Sequence, residues 1–153
     1  MPKEVMECKA SDNVYLHKDF HGALSGGIEY LHTHYGADAV REYLRRFANS
    51  FYAPLKEDLR ARGLVALMEH FGRLYESEGG DVDITLSPDE LRLEVRACPA
   101  VAHMRAQGYP VARLWVETTR TVNEALCEGT AFQAELLEYD DETGRSVQRF
   151  SAR

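Results

Sequence analysis

Cysteine, tryptophan, basic charge and long apolar runs are all in short supply. Three cysteines, Cys8, Cys98 and Cys127, cannot all pair, and a small disulfide-stapled scaffold is excluded. The longest apolar run, Gly63-Leu64-Val65-Ala66-Leu67-Met68, falls far short of the roughly 20 residues that cross a bilayer, so no membrane span is expected. Lys and Arg number 18 against 25 Asp and Glu, a net charge of −7 that repels polyanions unless one face is locally basic. The densest basic stretch, Arg41, Arg45, Arg46, Lys56, Arg60 and Arg62, is interleaved with Glu42, Glu57 and Asp58. That pattern reads as a solvated helix surface, and nucleic acid is not an expected partner. The first residues, MPKEVMECKASDN, hold no apolar segment of a secretion signal. With an odd thiol count, this predicts reduced cysteines and a cytoplasmic location.

What is present is ordinary globular material. The chain has 153 residues, 44% of them apolar, which predicts one domain over residues 1–153 with a core that needs no staples. No repeat or linker divides it.

The first half has helical periodicity. Leu16, Phe20, Leu24, Ile28 and Leu31 recur at spacings of three and four between about Tyr15 and Tyr35, with Gly36 as a stop. Gly22, Gly26 and Gly27 fall inside this stretch; either the helix packs closely against another backbone or a ligand, or it breaks there. Val40, Tyr43, Leu44, Phe47 and Phe51 form the next stripe, Pro54 opens a further turn, and Leu64, Leu67, Met68, Phe71, Leu74 and Tyr75 repeat the pattern up to Gly79-Gly80.

At Asp81 the period changes to two. Val82, Ile84 and Leu86, then Leu91, Leu93 and Val95, alternate with polar residues around the turn Ser87-Pro88-Asp89-Glu90. Helices follow from Pro99 to Gln107 and from about Val116 to Glu128. Strands at about Ala131–Asp140 and Arg145–Phe150 close the chain. The expected fold is α+β: N-terminal helices on an antiparallel sheet of about four strands, with two helices between its two hairpins. No Gly-rich strand-to-helix loop supports a Rossmann or P-loop fold.

Cys98-Pro99 is the sharpest chemical feature. Proline at the first helical position places Cys98 at the N-cap, where unpaired amides and the helix dipole favour a thiolate. Either this thiol is a nucleophile or it packs beneath the helix start. His103 lies five residues on, about 500° of turn and so about 140° round the helix. It meets Cys98 only if the chain between them is irregular, and more easily meets a group from another element. His17 and His21, four apart, share one helix face and suit either two ligands of a divalent metal or an acid–base pair, if they are not simply surface histidines. Asp19 between them, Trp115 and Cys127 are candidates for substrate contact, with core packing as the alternative for Trp115 and Cys127. Cys127 sits at a helix C-terminus, where the dipole disfavours a thiolate. His32, His34 and His70 read as ordinary, and nothing ranks Glu117, Glu124, Arg113 and Arg120 against one another.

From Val82 onwards, the cysteine closing a strand at Cys98, the helical stretch to Gly129 and the terminal hairpin ending Gly144-Arg145-Ser146-Val147-Gln148-Arg149-Phe150 resemble the L-2-amino-thiazoline-4-carboxylic acid hydrolase-like family. Ser146 stands near a place where members often carry a cysteine, which weakens any thiol or metal role for that hairpin. The resemblance implies hydrolysis of a cyclic C–N or C=N bond in a small sulfur-containing acid. One mechanism has the Cys98 thiolate attack the amidine-like carbon while a histidine such as His103 shuttles protons. The other has His17 and His21 hold a divalent metal that activates water. The layout is also similar to sensor modules that hold a small molecule between helices and sheet without turning it over.

Overall fold

The computed structural model describes residues 18–153, and its architecture is the expected α+β one. Four helices come first: α1 (Lys18–Tyr35), α2 (Ala37–Phe51), α3 (Ala53–Arg62) and α4 (Leu64–Glu78). The hairpin β1 (Asp81–Leu86) and β2 (Glu90–Ala97) follows, then α5 (Pro99–Gln107), α6 (Glu117–Cys127), and the hairpin β3 (Phe132–Tyr139) and β4 (Ser146–Ala152). The start expected near Tyr15 and the histidine at His17 lie outside the described residues.

α1 runs unbroken through its three glycines. The expected close approach to another backbone is not seen: an added Cβ at Gly22 would lie 3.0 Å from the side-chain ring of Tyr109, and Gly26 and Gly27 face nothing within 4 Å. α4 ends because Gly79 turns left-handed (φ 68°), letting the Gly79 and Gly80 amides donate to the Glu76 and Tyr75 carbonyls. That turn delivers the chain to the sheet.

The sheet is antiparallel in the order β1-β2-β4-β3, so the second hairpin pairs its last strand with the first hairpin. Register puts Leu91, Leu93 and Val95 opposite Phe150, Gln148 and Ser146 on one face. All six are buried beneath the helices. The other face carries Arg96 paired with Asp81 and Asp83, and Arg149 paired with Glu135 at 2.6 Å. One buried face and one charged face is the alternation an antiparallel sheet of this kind requires.

Helices and sheet enclose two cores. Leu59, Leu67 and Phe71 pack on Leu91, Leu93, Leu126 and Phe150, while Ile28, Val40 and Leu44 pack on Val101, Met104 and Trp115. Trp115 lies in the turn before α6 and is only 5% exposed. One expectation is corrected here. The α2 stripe splits: Val40 and Leu44 enter the core, while Tyr43, Phe47 and Phe51 stay exposed. Among the described residues no helix is long and apolar enough to cross a membrane.

Leu93, fully buried in the central strand, gives the direct test of this packing. Leu93→Ala should cost about 2–5 kcal/mol in chemical denaturation, and Arg92→Ala on the solvent face should stay within about 0.5 kcal/mol of the parent.

Candidate functional site

The two cores do not meet fully. Between them lies a cavity of about 280 Å³, bounded by α1, α2, α4, α6, the start of α5 and the inner face of β4. Its walls are apolar: Leu44, Phe71, Leu74, Trp115, Val122 and Leu126, with Phe20, Tyr43 and Phe47 on the solvent side. Polar groups cluster on one part of the lining, from Tyr75, Glu78, Cys98, Asn123 and Gln148, while His21 comes from α1 and His70 from α4.

The polar floor is built to survive burial. Asn123 Nδ2 donates to Gln148 Oε1 at 2.8 Å, and Gln148 Nε2 donates to Ser146 Oγ at 3.0 Å. Tyr75 also reaches Gln148 through its hydroxyl. All three members of the chain are under 10% exposed, so each unmade bond would carry a desolvation cost of about 1–3 kcal/mol.

Cys98 sits where the sequence places it, at the N-cap of α5 with extended backbone (φ −80°, ψ 121°). Its amide donates to the Thr143 carbonyl at 3.1 Å, and Gly144 (φ 70°) lies against it so closely that a Cβ there would collide with the Cys98 Cβ. The electrostatic expectation is reversed. Burial pushes the thiol up and outweighs the amides of Val101 and Ala100, which pull it down without forming a cap hydrogen bond; Glu78 pushes it up further. Desolvation therefore beats the helix dipole, and the resting group is the neutral thiol.

His103 meets a group from another element: Nε2 lies 3.1 Å from Asp19 Oδ1, an oxygen that also accepts from the Tyr109 hydroxyl at 3.3 Å. Neither His103 nor Asp19 lines the cavity. They tie α1 to α5, and Asp19 is left with a side chain 79% exposed. Cys127 is likewise outside the cavity, because α6 turns it into the core beside Leu59 and Leu126, where burial raises its thiol to about 12. Trp115 does line it, and His21 meets the Trp115 ring edge-on at 6.1 Å. Of the sequence candidates, Cys98, His21 and Trp115 share one cavity. His17 lies outside the described residues, and among those described no three His, Cys, Asp or Glu side chains gather as a metal set.

Sequence reasoning passed over His70, Tyr75, Glu78, Asn123 and Gln148. Signals for three of them were there. Glu78 is the last residue of α4, where the helix dipole disfavours a carboxylate. Asn123 falls on the apolar face of α6, one turn before Leu126, and Gln148 alternates inward between Ser146 and Phe150. Polar residues on buried faces need partners or a purpose. No family model matches the chain, and no curated protein matches it.

Burial lowers the pKa of His21, with His103 adding to the shift, and burial lowers that of His70, with Arg73 adding. Below about pH 6.5 the unfolded chain therefore binds more protons than the folded one, and stability present above that pH is lost as pH falls. Glu78, raised by burial, acts in the opposite sense, its contribution fading as pH rises above about 4.5. Denaturation curves between about pH 7.5 and 5.5 should show the wild type weakening by at most about 1.4 kcal/mol per pH unit per imidazole. The His21→Gln/His70→Gln variant should weaken less; equal slopes would mean the imidazoles are not held neutral.

Proposed function

We propose that this chain binds a small organic molecule with a mainly apolar body in the cavity between its helices and its sheet. The observation that carries this reading is the cavity itself: apolar walls of aromatic and aliphatic side chains, with a few polar groups clustered on one part of the lining. Such a distribution gives affinity through desolvation and orientation through a small number of hydrogen bonds. The volume, about 280 Å³, is nearly twice the ~150 Å³ that accepts benzene in an engineered protein core. A one- or two-ring ligand fits that scale. A reducing compartment such as the cytoplasm suits the free Cys98 thiol.

A second reading is favoured by one specific observation: Cys98, His21 and Glu78 line the same cavity. In it the chain is a hydrolase of a cyclic C–N or C=N bond, as the resemblance over its second half implies. Cys98 then adds to the C=N carbon as its proton passes to Glu78 or His21, since a neutral thiol needs a base at hand. The ring C–N bond breaks, its nitrogen leaves as an amine carrying that proton, and water hydrolyses the adduct to restore the thiol. In this reading His103, bonded to Asp19 and outside the cavity lining, acts on the substrate only through its electrostatic influence on His21. A divalent metal on His21 would need ligands from outside the described residues.

An uncharged fluorescent naphthylamine tests the first reading. It should bind saturably at one site, quenched or enhanced against Trp115. Val122→Phe, which fills the cavity, should weaken it at least tenfold without lowering the unfolding temperature by more than a few degrees. Unchanged affinity in that variant would place the dye elsewhere and remove the reading. For the second, wild-type protein should open the ring C–N bond of a 2-aminothiazoline carboxylate and release a free primary amine, while Cys98→Ser does not; equal turnover would exclude Cys98.

A further inference from the structure

The cavity has a charge signature that its apolar walls conceal. Among its described lining residues there is one carboxylate, Glu78, and no lysine or arginine. Burial holds His21 and His70 towards their neutral forms, so neither supplies a standing positive charge. Glu78 makes no hydrogen bond or ion pair with a described residue. Its neighbours Tyr52, Tyr75 and Cys98 each feel its charge as a reason to stay protonated.

Two aromatic side chains, Tyr52 and Tyr75, lie near enough to this carboxylate to feel its charge. Tyr43, Phe47, Tyr52, Phe71 and Trp115 all line the cavity. A partly desolvated cation gains from aromatic rings and from a half-buried carboxylate at once, whereas an anion gains from neither. The net charge of −7 acts in the same direction at long range, concentrating cations near the protein.

From this arrangement we infer that the ligand of the cavity is a cation, a protonated amine on an aromatic or aliphatic body, with its nitrogen held by Glu78 inside the aromatic walls. The inference rests on the reading of the cavity as a ligand site and adds the class of ligand. It also bears on the hydrolase reading, because a substrate carboxylate would find no lysine or arginine among the described lining residues.

Displacement of the naphthylamine dye by a matched set tests it: 2-phenylethylamine, 2-phenylethanol and 3-phenylpropanoate at neutral pH. The wild type should be displaced by the amine at a concentration at least tenfold below the alcohol, with the carboxylate weakest. Glu78→Gln should bring the amine to within about twofold of the alcohol, and an unfolding temperature within a few degrees of the wild type shows that the variant is folded. If the amine does no better than the alcohol in the wild type, or keeps its advantage in Glu78→Gln, the assignment is overturned and the cavity remains a site for neutral ligands. If the dye itself does not bind, both the assignment and the binding function fail.

Discussion

The cavity depends on a carboxylate that has been taken almost wholly out of water. Glu117, at the first turn of α6, is 1% exposed. It is held by Arg120 at 2.9 Å, by Arg41 of α2 at 3.5 Å, and by the Thr121 hydroxyl, which donates to it at 2.6 Å. Its place at a helix N-terminus adds the favourable end of the dipole. A buried charge with fewer partners would unfold its surroundings or neutralise, because desolvation costs several kcal/mol per ion. This cluster binds α2 to α6, and both helices line the cavity.

With that wall fixed, the hollow follows from geometry. One core is centred on α3, α4 and the sheet, the other on α1, α2 and α5. They share a seam, and the side chains at the seam are not long enough to close it. Its floor would be untenable if apolar walls met unsatisfied amides there; the Asn123–Gln148–Ser146 chain settles those amides among themselves. Cys98 is pinned into the same floor from behind by Thr143 and Gly144. Its burial is then a consequence of the β3–β4 turn packing against the end of β2.

The architecture was legible in the sequence because it is local. Periods of 3.6 and 2, and glycine or proline at each boundary, placed the strands and the last two helices within two residues of their observed bounds. The site was legible in part. Cys98 at an N-cap needs only Pro99 to be read, and it stands there. What could not be read was the competition at its sulfur: the dipole is a property of one helix, whereas desolvation comes with the packing of α4 and the C-terminal hairpin around it. The same holds for Glu78, Asn123 and Gln148, whose meeting depends on three elements distant in sequence. His103 and Cys127 do not line this cavity for a related reason, since a helix has only one face to offer it and theirs points elsewhere.

Alkylation of Cys98 by an uncharged reagent, followed by mass spectrometry from about pH 6 to about pH 10, tests the central claim of a neutral thiol at the floor of an accessible hollow. The account predicts that Cys98 is modified in the folded protein, that its rate is still climbing beyond pH 9, and that a cavity occupant slows it. A rate already level at neutral pH would reveal an ionised, poised sulfur, and no modification at any pH would show a sealed one; either result contradicts the account.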